Sequence, residues 1–295
     1  MDDNDWLASR FQASRPRLRA VAYRILGSAN EAEDALQEAW IHAAGGQAGE
    51  VANLDGWFTT IVARVCLDML RSRKARREQP LGADNVGWDD ALLAALEAGP
   101  EQEAVLADSV GLALLVVLDT LGPAERVAFV LHDMFGLPFE DIAAATGRSP
   151  SAARQLASRA RRRVQGAPAI PEAQLARRRE VAAAFLAASR GGDMAGLLAL
   201  LDPNVVLHAD ATAAPGGAPV TLRGATAVIG GARAASARAV HSSLALVNGT
   251  PGIVFAPLGK LELVLSLTIE VDKITRIDII GDPARLDELD LALLS

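Results

Sequence analysis

The hydrophobic rhythm of the chain changes along its length. In the first half, apolar positions recur at three- and four-residue spacing. Leu18, Val21, Ala22, Ile25 and Leu26 repeat one helical face, and Gly27 ends the run. Ser28 or Asn30 can cap a second helix, Glu31 to about Ala44, which Gly45-Gly46 stops. Asn53 to Asp55 precede a third, from about Gly56 to Arg76. Val105 to Leu121 reads as a strongly apolar helix closed by Gly122-Pro123, and Ala124 to Phe135 as the next. Two short helices follow, about Pro138–Ala145 and Pro150–Gln165, joined by Thr146-Gly147-Arg148-Ser149. Glu172–Arg190, Met194–Leu201 and the Ala225–Arg238 region are also expected to be helical. Then the period becomes two. Leu261, Leu263, Leu265, Leu267, Ile269 and Val271 alternate with Glu262, Val264, Ser266, Thr268 and Glu270. Asp272-Lys273 turns this strand into Ile274–Ile280, and Asn248-Gly249 turns Leu244–Val247 into Ile253–Phe255. The pattern predicts two all-α domains followed by an α+β domain with an antiparallel sheet.

Breaks in the pattern set the expected boundaries. Residues 78–103 hold Pro80, Gly82, Gly87, Gly99 and Pro100, with seven acids and no base, and read as an acidic linker with one short helix, Asp89 to Ala98. Two prolines in Gly166-Ala167-Pro168-Ala169-Ile170-Pro171 make a stiff tether. The expected organisation is therefore 1–77, linker 78–103, helical domain 104–166, tether 167–171 and C-terminal domain 172–295.

Charge sharpens this picture. Residues 71–77 carry five basic groups and residues 148–163 six arginines, neither stretch with an acid, while 78–147 hold thirteen acids and one base. Two basic patches separated by an acidic stretch suggest two polyanion contacts on one chain, despite a formal net charge of −7. The single cysteine, Cys66, rules out an intramolecular disulfide framework and a Cys-rich zinc site, and its helical surroundings make it a small core residue. No metal or cofactor is expected. There is no basic-then-apolar leader, and no uncharged apolar run reaches the roughly 18–20 residues that span a bilayer. We therefore expect a cytoplasmic protein without membrane contact.

Residues 138–164 hold the most informative local pattern. Phe139, Ile142 and Ala143 form an apolar face on the first short helix, Gly147 supplies the turn, and Ser149-Pro150 is an N-cap followed by proline at the first helical position. Ala153, Leu156, Ala157, Ala160 and Val164 make the inward stripe of the second helix. Ser151, Arg154, Gln155, Ser158, Arg159 and Arg162 lie largely off it, which is the arrangement of a DNA-reading helix-turn-helix. Arginine can read guanine and glutamine adenine through paired hydrogen bonds. The N-terminal half of such a helix meets base edges, so Ser151, Arg154 and Gln155 are the base-reading candidates. Arg159 and Arg161 to Arg163 suit phosphates. A repressor would fit this pattern as well as a transcription initiation factor.

The N-terminal half separates those two. Gly27-Ser28-Ala29-Asn30-Glu31-Ala32-Glu33-Asp34-Ala35-Leu36-Gln37-Glu38-Ala39-Trp40 resembles region 2.2 of the extracytoplasmic-function sigma factors. The stretch from Gly56-Trp57-Phe58 to Asp68-Met69-Leu70-Arg71-Ser72-Arg73 resembles their regions 2.3 and 2.4, and Ala124 to Val164 resembles region 4. The resemblance implies binding to core RNA polymerase, through the β′ clamp helices (Asp34, Leu36, Gln37, Glu38) and the β flap. It implies promoter DNA as the second partner. Asn53, Asp55, Arg64, Arg71, Arg73 and Lys74 would serve the −10 element, and Ser149, Ser151, Arg154, Gln155, Ser158, Arg159 and Arg162 the −35 element. The run from Ser149 to Arg161 is similar to a subset whose C-terminal extension resembles SnoaL-like polyketide cyclases, a cone of curved sheet and helices around a pocket. That implies a cis-acting regulatory domain that answers to a small molecule or a protein. The chain departs from this subset after Asp210, where Ala211-Thr212-Ala213-Ala214-Pro215 precedes Gly216-Gly217, and in the tether, which lacks a tryptophan motif. Gly281-Asp282-Pro283-Ala284-Arg285-Leu286 resembles the subset's shared tail.

His208, Asp210, Arg223 and His241 are the candidate pocket residues of the C-terminal domain. An Asp–His pair two residues apart on a strand could act as general acid and base, but fold does not imply function. Three readings follow. The first is a sigma factor regulated in cis, which is not an enzyme. The second is a ligand-responsive helix-turn-helix regulator acting without polymerase. The third is a cyclase or isomerase with accessory DNA-binding helices.

Overall fold

The computed structural model describes residues 3–45, 51, 53–77, 109–257 and 260–294. The acidic linker 78–103 and its expected short helix lie outside the described residues. The chain forms two compact units. One holds the described residues up to 77 together with 118–162; the other holds 109–117 with 163–294.

The first unit begins with three long helices, α1 (Asp3–Leu26), α2 (Ala29–Ala44) and α3 (Leu54–Arg77). The apolar repeat at Leu18, Val21, Ala22, Ile25 and Leu26 is buried, as its spacing predicts. The helix runs on through Pro16, whose ring leaves one carbonyl of the preceding turn without its helical donor. Gly27, at φ +77°, turns the chain in a conformation that disfavours a side chain. Ser28 then caps α2 by accepting from the Glu31 amide. Phe11, Trp40, Phe58 and Trp57 form one aromatic cluster, with Phe11 meeting Phe58 edge-on at 5.1 Å. Cys66 is buried among these helices, and burial pushes its thiol above the ordinary range.

Helix α4 (Ser109–Asp119) is followed by α5 (Pro123–Phe129), which continues into one π-helical turn, Val130–Met134. Then come α6 (Phe139–Thr146) and α7 (Pro150–Gln165). Gly147 sits at φ +66° as the left-handed cap of α6, and Ser149 Oγ accepts from the Ala152 amide to open α7. Ala153, Leu156, Ala157, Ala160 and Val164 are all buried. A buried guanidinium, Arg126 on α5, pairs with Asp119 at 2.9 Å. Burial pulls the Arg126 pKa down, and Asp119 opposes that pull.

The second unit is α+β. Helices α8 (Glu172–Gly191) and α9 (Met194–Leu200) lead into β1 (Leu201–Ala209) and β2 (Val220–Arg223). Helix α10 (Ala225–Ala239) follows, then β3 (Ser242–Val247), β4 (Thr250–Phe255), β5 (Leu263–Glu270), β6 (Lys273–Ile280), the short α11 (Pro283–Asp287) and β7 (Leu291–Ala292). The seven-stranded sheet has the order β2-β1-β6-β5-β4-β3-β7. It is mixed rather than antiparallel as expected. β1 runs parallel to β6, which the long connection between them allows, and the other pairs are antiparallel.

The period of two divides this sheet by face. Ile253, Leu267 and Ile269 join Phe185 and Leu186 of α8 and Val228 of α10 in the main core. Val254, Val264, Ala245 and Val247 lie in a second cluster with Leu112 and Val116. Those two residues of α4 thus belong to the core of the C-terminal sheet, although the sequence groups them with the preceding helices.

Candidate nucleic-acid interface

The outward face of α7 forms as the helical spacing requires. Ser149, Ser151, Arg154, Gln155, Ser158, Arg159 and Arg162 are exposed, while the alanine and leucine stripe is covered. The arginines are held differently. Arg159 Nε donates to Glu125 at 2.8 Å, and Arg161 Nε to Asp133 at 2.6 Å. Arg154 carries its guanidinium carbon 5.1 Å from the centroid of the Phe139 ring. Phe139, assigned by its spacing to the apolar face of α6, is only half-buried.

The second basic stretch lies at the end of α3. Asn53 accepts from the Gly56 amide at 3.0 Å and so caps this helix, and Asp55 accepts from the Ser14 hydroxyl at 2.6 Å. Arg64 Nη2 donates to the carbonyl of Ala144 on α6 at 2.8 Å. Arg71 pairs with Asp68 at 3.2 Å, one turn away. Arg73 pairs with Glu31 and also donates to the Leu26 carbonyl at 3.3 Å. Lys74 and Arg76 are exposed. The exposed Arg71–Asp68 pair is worth only about 0–1 kcal/mol, whereas Arg73 is half-buried.

On α2, Asp34, Gln37 and Glu38 are exposed and share the outward side. Leu36 is different. At 1% exposure it is a core residue between the helices, so its side chain is not available to a docking partner and that assignment is corrected. The residue falls on the same stripe as Ala32, Ala35 and Ala39, all buried.

The four candidate pocket residues of the C-terminal unit lie in different surroundings. His208 is half-exposed on β1, and its Nδ1 lies 3.2 Å from Thr221 Oγ1 on β2. Arg223 is exposed on β2, where its backbone pairs with Val206. His241 is buried at the start of β3. Asp210 follows the end of β1 and is buried, so it is not a strand partner of His208. Its carboxylate serves the backbone. Oδ1 accepts from the Ala213 amide at 2.9 Å, and Oδ2 accepts from Gly281 at 3.0 Å, Asp282 at 3.1 Å and Arg285 Nη1 at 3.2 Å. Burial pushes the carboxyl upward, but those backbone donors and the Arg285 guanidinium outweigh it and hold its pKa below the usual carboxylate value. At Gly281 an added Cβ would lie 2.8 Å from the Leu263 side chain, so only glycine lets the tail approach this closely. The similarity of the tail sequence pointed to this element, but nothing in the spacing linked it to Asp210.

These features define a helical DNA-binding unit joined to an α+β unit. Residues 10–76 match the sigma-70 region 2 model, and residues 111–164 match a sigma-70 region 4 model. The probable ECF RNA polymerase sigma factor SigI of Mycobacterium tuberculosis is 35% identical over 296 residues, covering 98% of each chain. The ECF RNA polymerase sigma factor SigJ of the same organism is 39% identical over 221 residues, covering 73% of this chain and 67% of its own. The crystal structure of M. tuberculosis SigJ aligns over 95% of this chain and 98% of that one, at 30% identity and a TM-score of 0.45. The chain belongs to the extracytoplasmic-function RNA polymerase sigma factors, which bind core RNA polymerase and promoter DNA and are not enzymes. No described helix is long and apolar enough to cross a membrane.

Proposed function

We propose that this sigma factor docks on the β′ clamp helices through Asp34, Gln37 and Glu38 of α2, with region 4 on the β flap, and acts in the cytoplasm. Asn53, Asp55, Arg64, Arg71, Arg73 and Lys74 engage the −10 element; Ser149, Ser151, Arg154, Gln155, Ser158, Arg159 and Arg162 engage the −35 element. The observation that carries this reading is the outward face of α7, where a buried alanine-leucine stripe turns a row of arginine, glutamine and serine side chains to solvent. Asn53 keeps its amide group for a base while its oxygen caps α3. Arg64 reaches a nucleic-acid strand only after it releases the Ala144 carbonyl. The halves 1–77 and 104–166, joined by the linker 78–103, divide the work between the −10 and −35 elements, although 118–162 share one compact unit with the described residues up to 77.

The C-terminal domain, 172–295 after the tether 167–171, resembles a SnoaL-like cone and tunes promoter output in cis, in response to a small molecule or a protein. Its test uses the whole chain, because Leu112 and Val116 pack in its core and a truncation at 172 uncovers them. Purified core polymerase with this chain should initiate at a defined promoter, and Gln37→Ala with Glu38→Ala should lose polymerase binding while the chain stays folded. Wild-type polymerase affinity in that double variant would refute the docking face. Asp210→Ala should change promoter output at unchanged polymerase binding; an unchanged output would remove the cis-regulatory role.

A further inference from the structure

Three arginines on α7 are each held by a neighbour, but in two chemically different ways. Arg159 and Arg161 are held by carboxylates, Glu125 and Asp133. A carboxylate takes up the in-plane N–H donors of a guanidinium, which are the groups that would bond to a base. Arg154 pairs with no carboxylate among the described residues. It rests over the ring of Phe139, 5.1 Å from the centroid. A ring takes only the face of the guanidinium and leaves its edge of N–H donors open. The edge is the part that bonds to the O6 and N7 of guanine.

The ring itself is braced. His132 packs against it with centroids 4.1 Å apart and planes 32° from parallel. His132 Nδ1 lies 3.1 Å from the Leu137 carbonyl, so this nitrogen carries the proton and donates, which fixes the imidazole. The braced surface therefore runs from the π-helical turn through the start of α6 to the exposed face of α7. Arginine carries large rotamer freedom, and holding it in advance removes an ordering cost from binding.

We propose that Phe139 is a specificity-determining positioning residue: by stacking the Arg154 guanidinium it aims the open edge of that side chain at one base pair of the −35 element. This rests on the reading that Arg154 contacts a base, and the experiment separates the two ideas.

Full-length chain in holoenzyme is measured against a promoter panel carrying every single substitution of the −35 element, with relative affinities taken at one salt concentration. Arg154→Ala should flatten the preference at one base pair. Phe139→Leu, which keeps apolar volume without a ring, should weaken the preference at that same base pair by about two- to fivefold, the worth of an exposed cation–π contact. Phe139→Tyr keeps the ring and should restore the preference. In the Arg154→Ala background, Phe139→Leu should have no further effect on the pattern. If Arg154→Ala alters no base preference, the base-reading assignment fails and the proposal fails with it. If Arg154→Ala flattens one position and Phe139→Leu leaves it intact, base reading stands and positioning is refuted. Should Phe139→Leu lower affinity equally on every promoter, or act as strongly without Arg154, its role is structural only and the proposal is overturned.

Discussion

Helix α7 and the turn after β1 carry similar sequence signals with different outcomes. Both set polar residues beside an apolar pattern, and both offer charged groups for chemistry. On α7 those groups reach solvent together: Arg154, Gln155, Ser158 and Arg162 are exposed over one covered stripe. After β1 they part. His208 stays at the surface beside Thr221, while Asp210 turns inward and holds four donors. The reason is the range of the forces that place them. A helix determines which residues share a face from spacing alone. The fate of a residue at a strand end depends on what the sheet brings against it from elsewhere in the chain. Here that is the tail from Gly281 to Arg285, delivered by the parallel pairing of β1 with β6.

The largest effect that can break this comparison is at Asp210. Asp210→Ala should destabilise the C-terminal unit by about 3 kcal/mol or more, since one buried donor left unsatisfied already costs about 1–3 kcal/mol. Hydrogen exchange at the Ala213, Gly281 and Asp282 amides should rise first. A variant as stable as wild type, with those amides still protected, would return Asp210 to the list of ligand-facing groups. The same carboxylate sets an acid limit. Its native pKa lies below the unfolded value of about 3.9, so its contribution is complete above that pH and is lost as the pH falls through the native pKa. The stability difference between wild type and Asp210→Asn should therefore be constant from pH 7 to about 5 and shrink towards pH 3. A difference that grew on acidification would contradict the assigned role.

Next in size are the arginines of α7, which test the other side of the comparison. Arg154→Ala should remove about 1–3 kcal/mol of discrimination at one base pair. Arg162→Ala should weaken binding of all promoters alike and reduce the slope of log affinity against log salt by about 1. Reversed outcomes would exchange the two roles: a promoter-selective Arg162→Ala together with a uniform Arg154→Ala would mean that the helix docks in the opposite sense. Protein stability should hardly move in either variant, because both side chains are exposed.

The legible parts of the structure follow the same division. The core stripes of α1, α2 and α7, the serine cap of α7 and the alternation of β5 are all written in local spacing. Leu36 obeys the same rule, since it extends the buried set of Ala32, Ala35 and Ala39, whereas the likeness to region 2.2 implies a surface position. What local spacing does not encode is pairing across long separations. The parallel β1–β6 contact, the edge strand β2, and the packing of Leu112 and Val116 with the C-terminal sheet depend on partners far along the chain. Phe139 is an intermediate case. Its helical position is local, but its meeting with Arg154 depends on how α6 and α7 cross.

The smallest expected effect is at His208 and Arg223, and its smallness is informative. Their strand positions are linked by register: His208 faces Thr221, and Arg223 lies two residues further along β2. All three therefore share one side of the ribbon, with Arg223 exposed and His208 half-exposed. Such surface positions change stability by no more than about 0.5 kcal/mol when truncated. His208→Ala and Arg223→Ala should each leave thermal unfolding and promoter output at wild-type levels when no regulator is present. A shift in promoter output at unchanged stability would mean that this side of the sheet, rather than the buried Asp210, carries the effect of the domain on transcription. A shift in stability without a shift in output would make the His208–Thr221 pair a fastener of the edge strand β2. Because the two readouts move separately, even a small change assigns the face to regulation or to folding.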